Sequence, residues 1–114
     1  MKKMIYIALM LLPVLTYAED EYMTGNKLLR QIESTNSNER TFATGHISGF
    51  VDAIIGSKML LNAKPVACVP AGVTYTQLND IIHNYLKNEP KERHKSAILL
   101  IITSIRETYP CKEN

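Results

Sequence analysis

The segment that decides the fold runs from Cys68 to Cys111 and reads CVPAGVTYTQLNDIIHNYLKNEPKERHKSAILLIITSIRETYPC. Its two ends are the only cysteines of the 114-residue chain. In an exported protein, two cysteines most simply form one disulfide, because thiols are oxidised outside the cytosol. We therefore predict a Cys68–Cys111 bridge, which contributes roughly 4 kcal/mol to stability in the chain-entropy model.

The N-terminus indicates export. Two lysines precede an almost wholly apolar stretch over residues 4–15, and Thr16-Tyr17-Ala18 supplies small residues where a signal peptidase cleaves. We predict that residues 1–18 are a cleaved signal peptide, that residues 19–114 form a single domain, and that the protein resides in the periplasm. The alternative is an uncleaved anchor, although the apolar stretch is shorter than the ~20 residues of a membrane span.

The charge balance excludes some classes of partner. The chain has 13 Lys and Arg against 11 Asp and Glu, and the predicted signal removes two lysines and no acids. The mature domain is therefore formally neutral. Without a basic surface or a polybasic run, we expect neither nucleic-acid binding nor attachment to a membrane surface.

Apolar residues recur at helical spacing along the mature chain. We predict an all-α fold, a compact bundle of about four helices with one disulfide. The helices are expected over residues 24–34, residues 39–61, residues 74–89, and from Pro90 to about residue 105. Thr74 and Gln77 have the spacing of a capping box at the start of the third helix.

The fourth helix carries the apolar run Ala97–Ile102, followed by Ile105. Because this run is apolar on nearly all sides, we expect its helix to lie at the centre of the core. A buried β-strand over residues 97–103 is the competing interpretation, because the run is rich in β-branched residues.

The long second helix contains a predicted core stripe at steps of three and four residues, made of Phe42, His46, Gly49, Phe50, Ala53, Ile54, Ser57 and Leu61. Gly45 and Gly49 lie on or beside this stripe. Glycine weakens a helix by ~1 kcal/mol relative to alanine, so the pair suggests that another backbone packs closely against it. Packing within one subunit is the favoured interpretation, and a dimer interface is the alternative.

The residues that could carry chemistry do not form an enzyme site. The three histidines, His46, His83 and His94, fit no standard metal-ligand spacing, so we predict neither a metal nor another cofactor. Asp80 and His83 are one turn apart, but no nucleophile or oxyanion-binding loop accompanies them. We expect Asp52, on a mostly apolar helix, to make a structural hydrogen bond.

The chain resembles the Rap/Tai family of type VI secretion immunity proteins. The resemblance lies in residues 45–53 (GHISGFVDA), residues 68–74 (CVPAGVT), and in Gln77, Leu78, Tyr85, Leu86, Pro90, Arg93, His94, Ala97 and Tyr109-Pro110-Cys111. It covers roughly two thirds of the mature chain. No single piece is diagnostic, but the ordered set is fairly specific.

This resemblance implies a periplasmic protein without catalytic turnover that binds a peptidoglycan amidase delivered by a type VI secretion system. Family members protect the producing cell and its kin, and the implied form is a homodimer that occludes the amidase active site. Many relatives carry a further cysteine pair near the positions of Ile32 and Ala43. This chain has apolar residues there, so we expect its first helix to be held by packing alone.

Toxin binding needs a protruding surface on a rigid scaffold, and loops provide one. The two candidates are the loop at residues 62–66 and the hinge at residues 87–93. Their predicted polar contacts come from Lys64, Asn84, Lys87, Glu89 and Arg93. The plainer interpretation is that both segments are solvated connections, since few interface residues carry binding energy.

Two other function classes remain open on the sequence. The protein could be a periplasmic holdase chaperone, although three histidines and 11 carboxylates provide only a generic response to acid. It could also be an accessory subunit of an envelope assembly, in which case it would copurify with envelope components and with no amidase.

Overall fold

The computed structural model describes residues 22–112, which fold into four α-helices and contain no β-strand. These helices are α1 (Gly25–Ile32), α2 (Ser37–Leu61), α3 (Tyr75–Asn88) and α4 (Ala97–Thr108). The predicted all-α bundle is therefore confirmed, and the strand alternative for residues 97–103 is wrong. The predicted signal peptide, residues 1–18, lies outside the described residues.

Polar side chains fix where the first three helices begin. Thr24 accepts a hydrogen bond from the Lys27 amide at 3.2 Å. Asn36 accepts one from the Asn38 amide at 2.9 Å. The predicted capping box at Thr74 is confirmed, because its hydroxyl accepts from the Gln77 amide while its own amide donates to Gln77 Oε1. Each cap satisfies amides that have no partner inside the first turn.

The hydrophobic core is built entirely from helical residues. Helix α3 packs against the other three helices, and α1 also packs against α2 and α4. The most deeply buried large side chains come from all four helices: Leu28, Ile47, Ile82, Leu86, Leu100 and Ile101. Burying such aliphatic side chains contributes roughly 1.5–3 kcal/mol each, which makes the core the main source of stability.

The predicted core stripe of α2 is wrong by about one residue. The buried positions are Ala43, Ile47 and Val51, whereas Phe42 is 57% exposed. One residue turns a helix by about 100°, so the core-facing side is adjacent to the predicted one. Because apolar residues surround this helix on most sides, its sequence pattern does not define the buried face.

The expected close packing of a backbone against Gly45 and Gly49 within one subunit is also wrong. A methyl group added at either glycine would meet no heavy atom within 4 Å in the described part of the chain. Both glycines are exposed, on the side of α2 that faces away from the core.

The segment between α3 and α4 differs from the expectation. Pro90 begins a short 3₁₀ turn, Pro90–Glu92, and α4 begins only at Ala97. Helix α4 is also not central on all sides, because Ile98 and Leu99 are 42% and 50% exposed. Only the side of α4 that carries Leu100 and Ile101 meets the other helices.

Helix α1 is held by backbone hydrogen bonds as well as by packing. The Gly25 amide donates to Lys95 O at 3.0 Å, and the Asn26 amide donates to Arg93 O at 2.8 Å. The Ala97 amide in turn donates to Met23 O at 2.8 Å. The expectation that packing alone holds this helix is therefore incomplete.

The predicted Cys68–Cys111 disulfide is present. It joins the connection between α2 and α3 to the chain just beyond α4. Within residues 22–112, none of the helices is both long and apolar enough to span a membrane.

Candidate functional site

The last turn of α2 projects from the bundle. Met59, Leu60 and Leu61 are 78%, 86% and 76% exposed. Three consecutive residues point in directions that span about 200° around a helix, so the bundle covers little of this turn. Exposed apolar side chains in a contiguous group are typical of interaction sites. We call Met59, Leu60 and Leu61 the apolar tip.

A groove of about 530 Å³ lies beside the apolar tip. One wall is the second half of α2, with Val51, Ile54 and Ile55, and the opposite wall includes Ile102 of α4. The third wall is residues 65–73 of the connection from α2 to α3. We call the whole connection, residues 62–73, the groove loop. Most of the lining is aliphatic, so the groove suits apolar side chains of a partner.

The groove loop begins and ends at defined backbone conformations. Asn62 ends α2 in the left-handed region, with φ 49° and ψ 34°. Gly72 has φ +91°, which glycine adopts at no steric cost, just before the Thr74 cap of α3. These two residues turn the chain away from α2 and back into α3, and so place the loop beside the apolar tip.

Asp52 and Tyr75 connect the two helices at the edge of the groove. The Tyr75 hydroxyl donates a hydrogen bond to Asp52 Oδ1, which confirms the structural pairing predicted for this aspartate. The carboxylate that accepts this bond raises the pKa of the Tyr75 phenol. The phenol therefore keeps its proton at neutral pH and continues to donate.

The predicted binding residues lie at two ends of the bundle. Lys64 is in the groove loop, close to the start of α3, whereas Asn84 and Lys87 lie near the end of that helix. The Asp52–Tyr75 and Thr44–Asn79 hydrogen bonds show that α2 runs antiparallel to α3 and ends beyond its first turn, so Lys64 lies at the opposite end of α3 from Asn84 and Lys87. The structure therefore does not bring the five residues into one surface.

Arg93 has a structural role in the hinge. Its Nε donates to Leu86 O at 2.6 Å and its guanidinium also donates to Lys87 O at 3.2 Å. These carbonyls lie in the last turn of α3, where no helical amide follows to bind them. Arg93 therefore caps α3, while Asn84 and Lys87 are exposed and Glu89 is partly exposed.

Two of the histidines make contacts within the bundle. His46 stacks on Phe42 with a centroid distance of 6.5 Å. His83 Nε2 lies 2.8 Å from Glu33 Oε1, and this hydrogen bond lowers the pKa of the Glu33 carboxyl. Across residues 22–112, no three His, Cys, Asp or Glu side chains come together as a possible metal site.

The helical periodicity of the sequence does not predict the apolar tip. It places Leu61 in the core stripe of α2 and predicts nothing for Met59 or Leu60. A signal was available, since three consecutive apolar residues end a helix directly before a loop with two prolines. Such a run cannot all face one core, so part of it must be exposed or contact another chain.

The family of the chain follows from comparison with protein-family models. The model of the Rap1a immunity proteins matches residues 24–111, from the cap of α1 to the second cysteine of the disulfide. The chain therefore belongs to this family, and it is an immunity protein against a secreted effector. A comparison with curated proteins gave no match.

Proposed function

We propose that this protein is a periplasmic inhibitor of a type VI secretion peptidoglycan amidase, and that it acts by occluding the amidase active site. The observation that carries the proposal is the apolar tip, Met59, Leu60 and Leu61, which protrudes beside an open groove. A catalytic cleft is concave, and a protruding helix end can enter it. Lys64 follows the tip and supplies a charge for the rim of the contact.

A periplasmic location is supported by two features of the chain. The N-terminal residues 1–18 have the order of a secretory signal. The disulfide Cys68–Cys111 is of the kind that persists in oxidising compartments. Inhibition is proposed to be stoichiometric, without turnover of any substrate by the immunity protein itself.

The hinge is proposed to make additional polar contacts. Asn84, Lys87 and Glu89 remain candidates there because their side chains are at least partly exposed. Arg93 positions them through its bonds to the end of α3. An effector that contacts both ends of α3 has to span about 20 Å along this helix.

A homodimer is proposed to form through the side of α2 that faces away from the core. Phe42, Gly45, Gly49 and Ala53 are exposed there and follow each other at steps of three and four residues. We call these four residues the outer stripe. Glycines in such a stripe let a second helix approach closely, which explains why they are used despite their cost to helix stability.

The apolar tip is tested with the double variant Met59→Gln/Leu61→Gln. Glutamine is polar and a good helix former, so the fold should not change. We expect inhibition of the purified amidase to weaken at least tenfold, as for residues central to an interface. The matched control is Ile98→Gln/Leu99→Gln, which removes exposed apolar groups from α4 and should inhibit like the wild type.

Equal inhibition by the tip variant and the wild type would contradict the proposed binding surface. The identity of the effector is tested separately, by exporting a candidate type VI secretion peptidoglycan amidase to the periplasm of a host cell. Coexpression of the immunity protein should prevent lysis. Lysis at the same rate with and without it would contradict the amidase as the target.

A further inference from the structure

We propose that the Cys68–Cys111 disulfide holds the groove loop in place under redox control, a role we call the clasp. Reduction then loosens the groove loop and weakens inhibition, while the helical core stays folded. The inference rests on the proposed function, because it concerns the regulation of the same surface. It assigns the disulfide a role beyond general stability.

The first argument is how few other bonds hold the groove loop in place. One backbone hydrogen bond joins this loop to the rest of the described chain, from the Cys68 amide to Tyr109 O at 2.9 Å. It is made by a residue of the disulfide itself. The remaining support is partial packing of Ala67, Val69 and Val73 against the core. Opening the disulfide therefore removes the main constraint on the loop.

The second argument is that the core does not include the groove loop. Every buried apolar residue of the described chain lies in α1, α2, α3 or α4. The backbone hydrogen bonds between residues 23–26 and residues 93–97 involve neither the disulfide nor the groove loop. Reduction should therefore free the loop locally, in the manner of a segment with low local stability, and leave the helices packed.

The third argument is chemical access. Cys68 is exposed and Cys111 is partly exposed. The thiolate of a dithiol reductant attacks one of these sulfurs and breaks the bond between them, forming a mixed disulfide. The second thiol of the reductant then attacks the mixed disulfide and releases the second cysteine as a thiol. The products are two cysteine thiols and one oxidised dithiol, with two electrons transferred.

The consequence for inhibition follows from conformational entropy. A mobile loop has to be ordered again when the effector binds, and this ordering opposes binding. The groove is also deformed, since the loop is one of its walls. An immunity protein with an open disulfide should inhibit at least tenfold more weakly, so full protection would require an oxidising compartment.

The clasp is tested by amide hydrogen exchange on the full mature protein, oxidised and then reduced with dithiothreitol. We expect the Cys68 amide, which donates to Tyr109 O, to exchange at least tenfold faster after reduction. The amides of Ile82 and Ile101 should remain at least tenfold slower than it, because the helices stay packed even though loss of the bridge lowers global stability. The variant Cys68→Ser/Cys111→Ser should match the reduced protein and should not respond to dithiothreitol. Unchanged exchange at the Cys68 amide, or core amides that lose protection to the same level as this amide, would overturn the proposal.

Inhibition is then measured with the same serine variant and no reductant, so that the effector is not itself reduced. A loss of at least tenfold relative to the oxidised protein supports the clasp, and full inhibition overturns it. Failure of the oxidised wild type to inhibit would instead overturn the proposed function. The exchange data still decide about the clasp in that case, because they require no effector.

Discussion

At the scale of single residues, the chain shows two opposite uses of glycine. Gly25 is buried at the start of α1, and a methyl group added there would lie 2.9 Å from Arg93 O and also against Leu100. Gly56 lies within α2, and a methyl group there would meet no heavy atom of the described chain within 4 Å. The first glycine is required by close packing against a neighbouring backbone, and the second is not.

The substitution Gly25→Ala is therefore expected to destabilise the fold by about 1–3 kcal/mol, as is usual for overpacking. The same change at Gly56 should stabilise α2 by about 0.5–1 kcal/mol, because alanine is the better helix former. Thermal unfolding followed by circular dichroism measures both effects. Each 1 kcal/mol corresponds to about 4–8 °C in a domain of this size. A Gly25→Ala protein as stable as the wild type would show that α1 moves to relieve the contact.

At the scale of secondary-structure elements, α2 has one apolar surface that is buried and another that is exposed. Its core side, with Ile47 and Val51, packs in the bundle, whereas its outer stripe and its apolar tip are exposed. A 25-residue helix is about 37 Å long, which exceeds what the three shorter helices can cover. The length of α2 leaves its apolar tip uncovered, whereas the outer stripe is exposed because it faces away from the core.

The proposed dimer is tested with Gly45→Leu/Gly49→Leu. The monomer has room for both side chains, since no heavy atom of the described chain lies within 4 Å of the added methyl positions. A helix packed against the outer stripe would be displaced, so we expect the wild type to elute as a dimer and the variant as a monomer, measured by light scattering after size exclusion. Thr76→Leu on α3 is the control for an added surface leucine. A wild-type monomer, or a dimeric variant, would contradict this interface.

At the scale of the whole molecule, contacts between residues that are far apart in the sequence hold the bundle together. The disulfide joins positions 43 residues apart, and the Glu33–His83 pair joins the turn after α1 to α3 across 50 residues. The hydrogen bond from His83 is the main cause of the lowered pKa of Glu33. A carboxyl whose pKa is lowered on folding stabilises the folded state above its ordinary pKa, and this contribution is lost as the pH falls through its folded pKa.

Acid should therefore reveal the contribution of Glu33. Between about pH 5 and about pH 3, we expect the thermal midpoint of the wild type to fall more steeply than that of Glu33→Gln, because only the wild type has this carboxylate to protonate. The effect should be small, since the pair is at the surface. Parallel curves for Glu33→Gln and the wild type would contradict the linkage.

The sequence by itself determined the helical class, the helix starts at Thr24 and Thr74, and the Cys68–Cys111 bridge. These features depend on local spacing, on side chains that bond to nearby amides, and on a cysteine count that leaves one possible pair. It also indicated Lys64 as part of a binding loop, which remains a prediction.

Only the tertiary structure decided which side of α2 is buried, that Gly45 and Gly49 face outward, and that Ile98 and Leu99 are half exposed. It also separated Lys64 from Asn84 and Lys87, and it showed that the apolar tip protrudes. The physical reason is that periodicity defines a buried face only when apolar residues are confined to one side of a helix. In α2 and α4 they occur on nearly all sides, so burial was decided by which side of each helix meets the neighbouring helices.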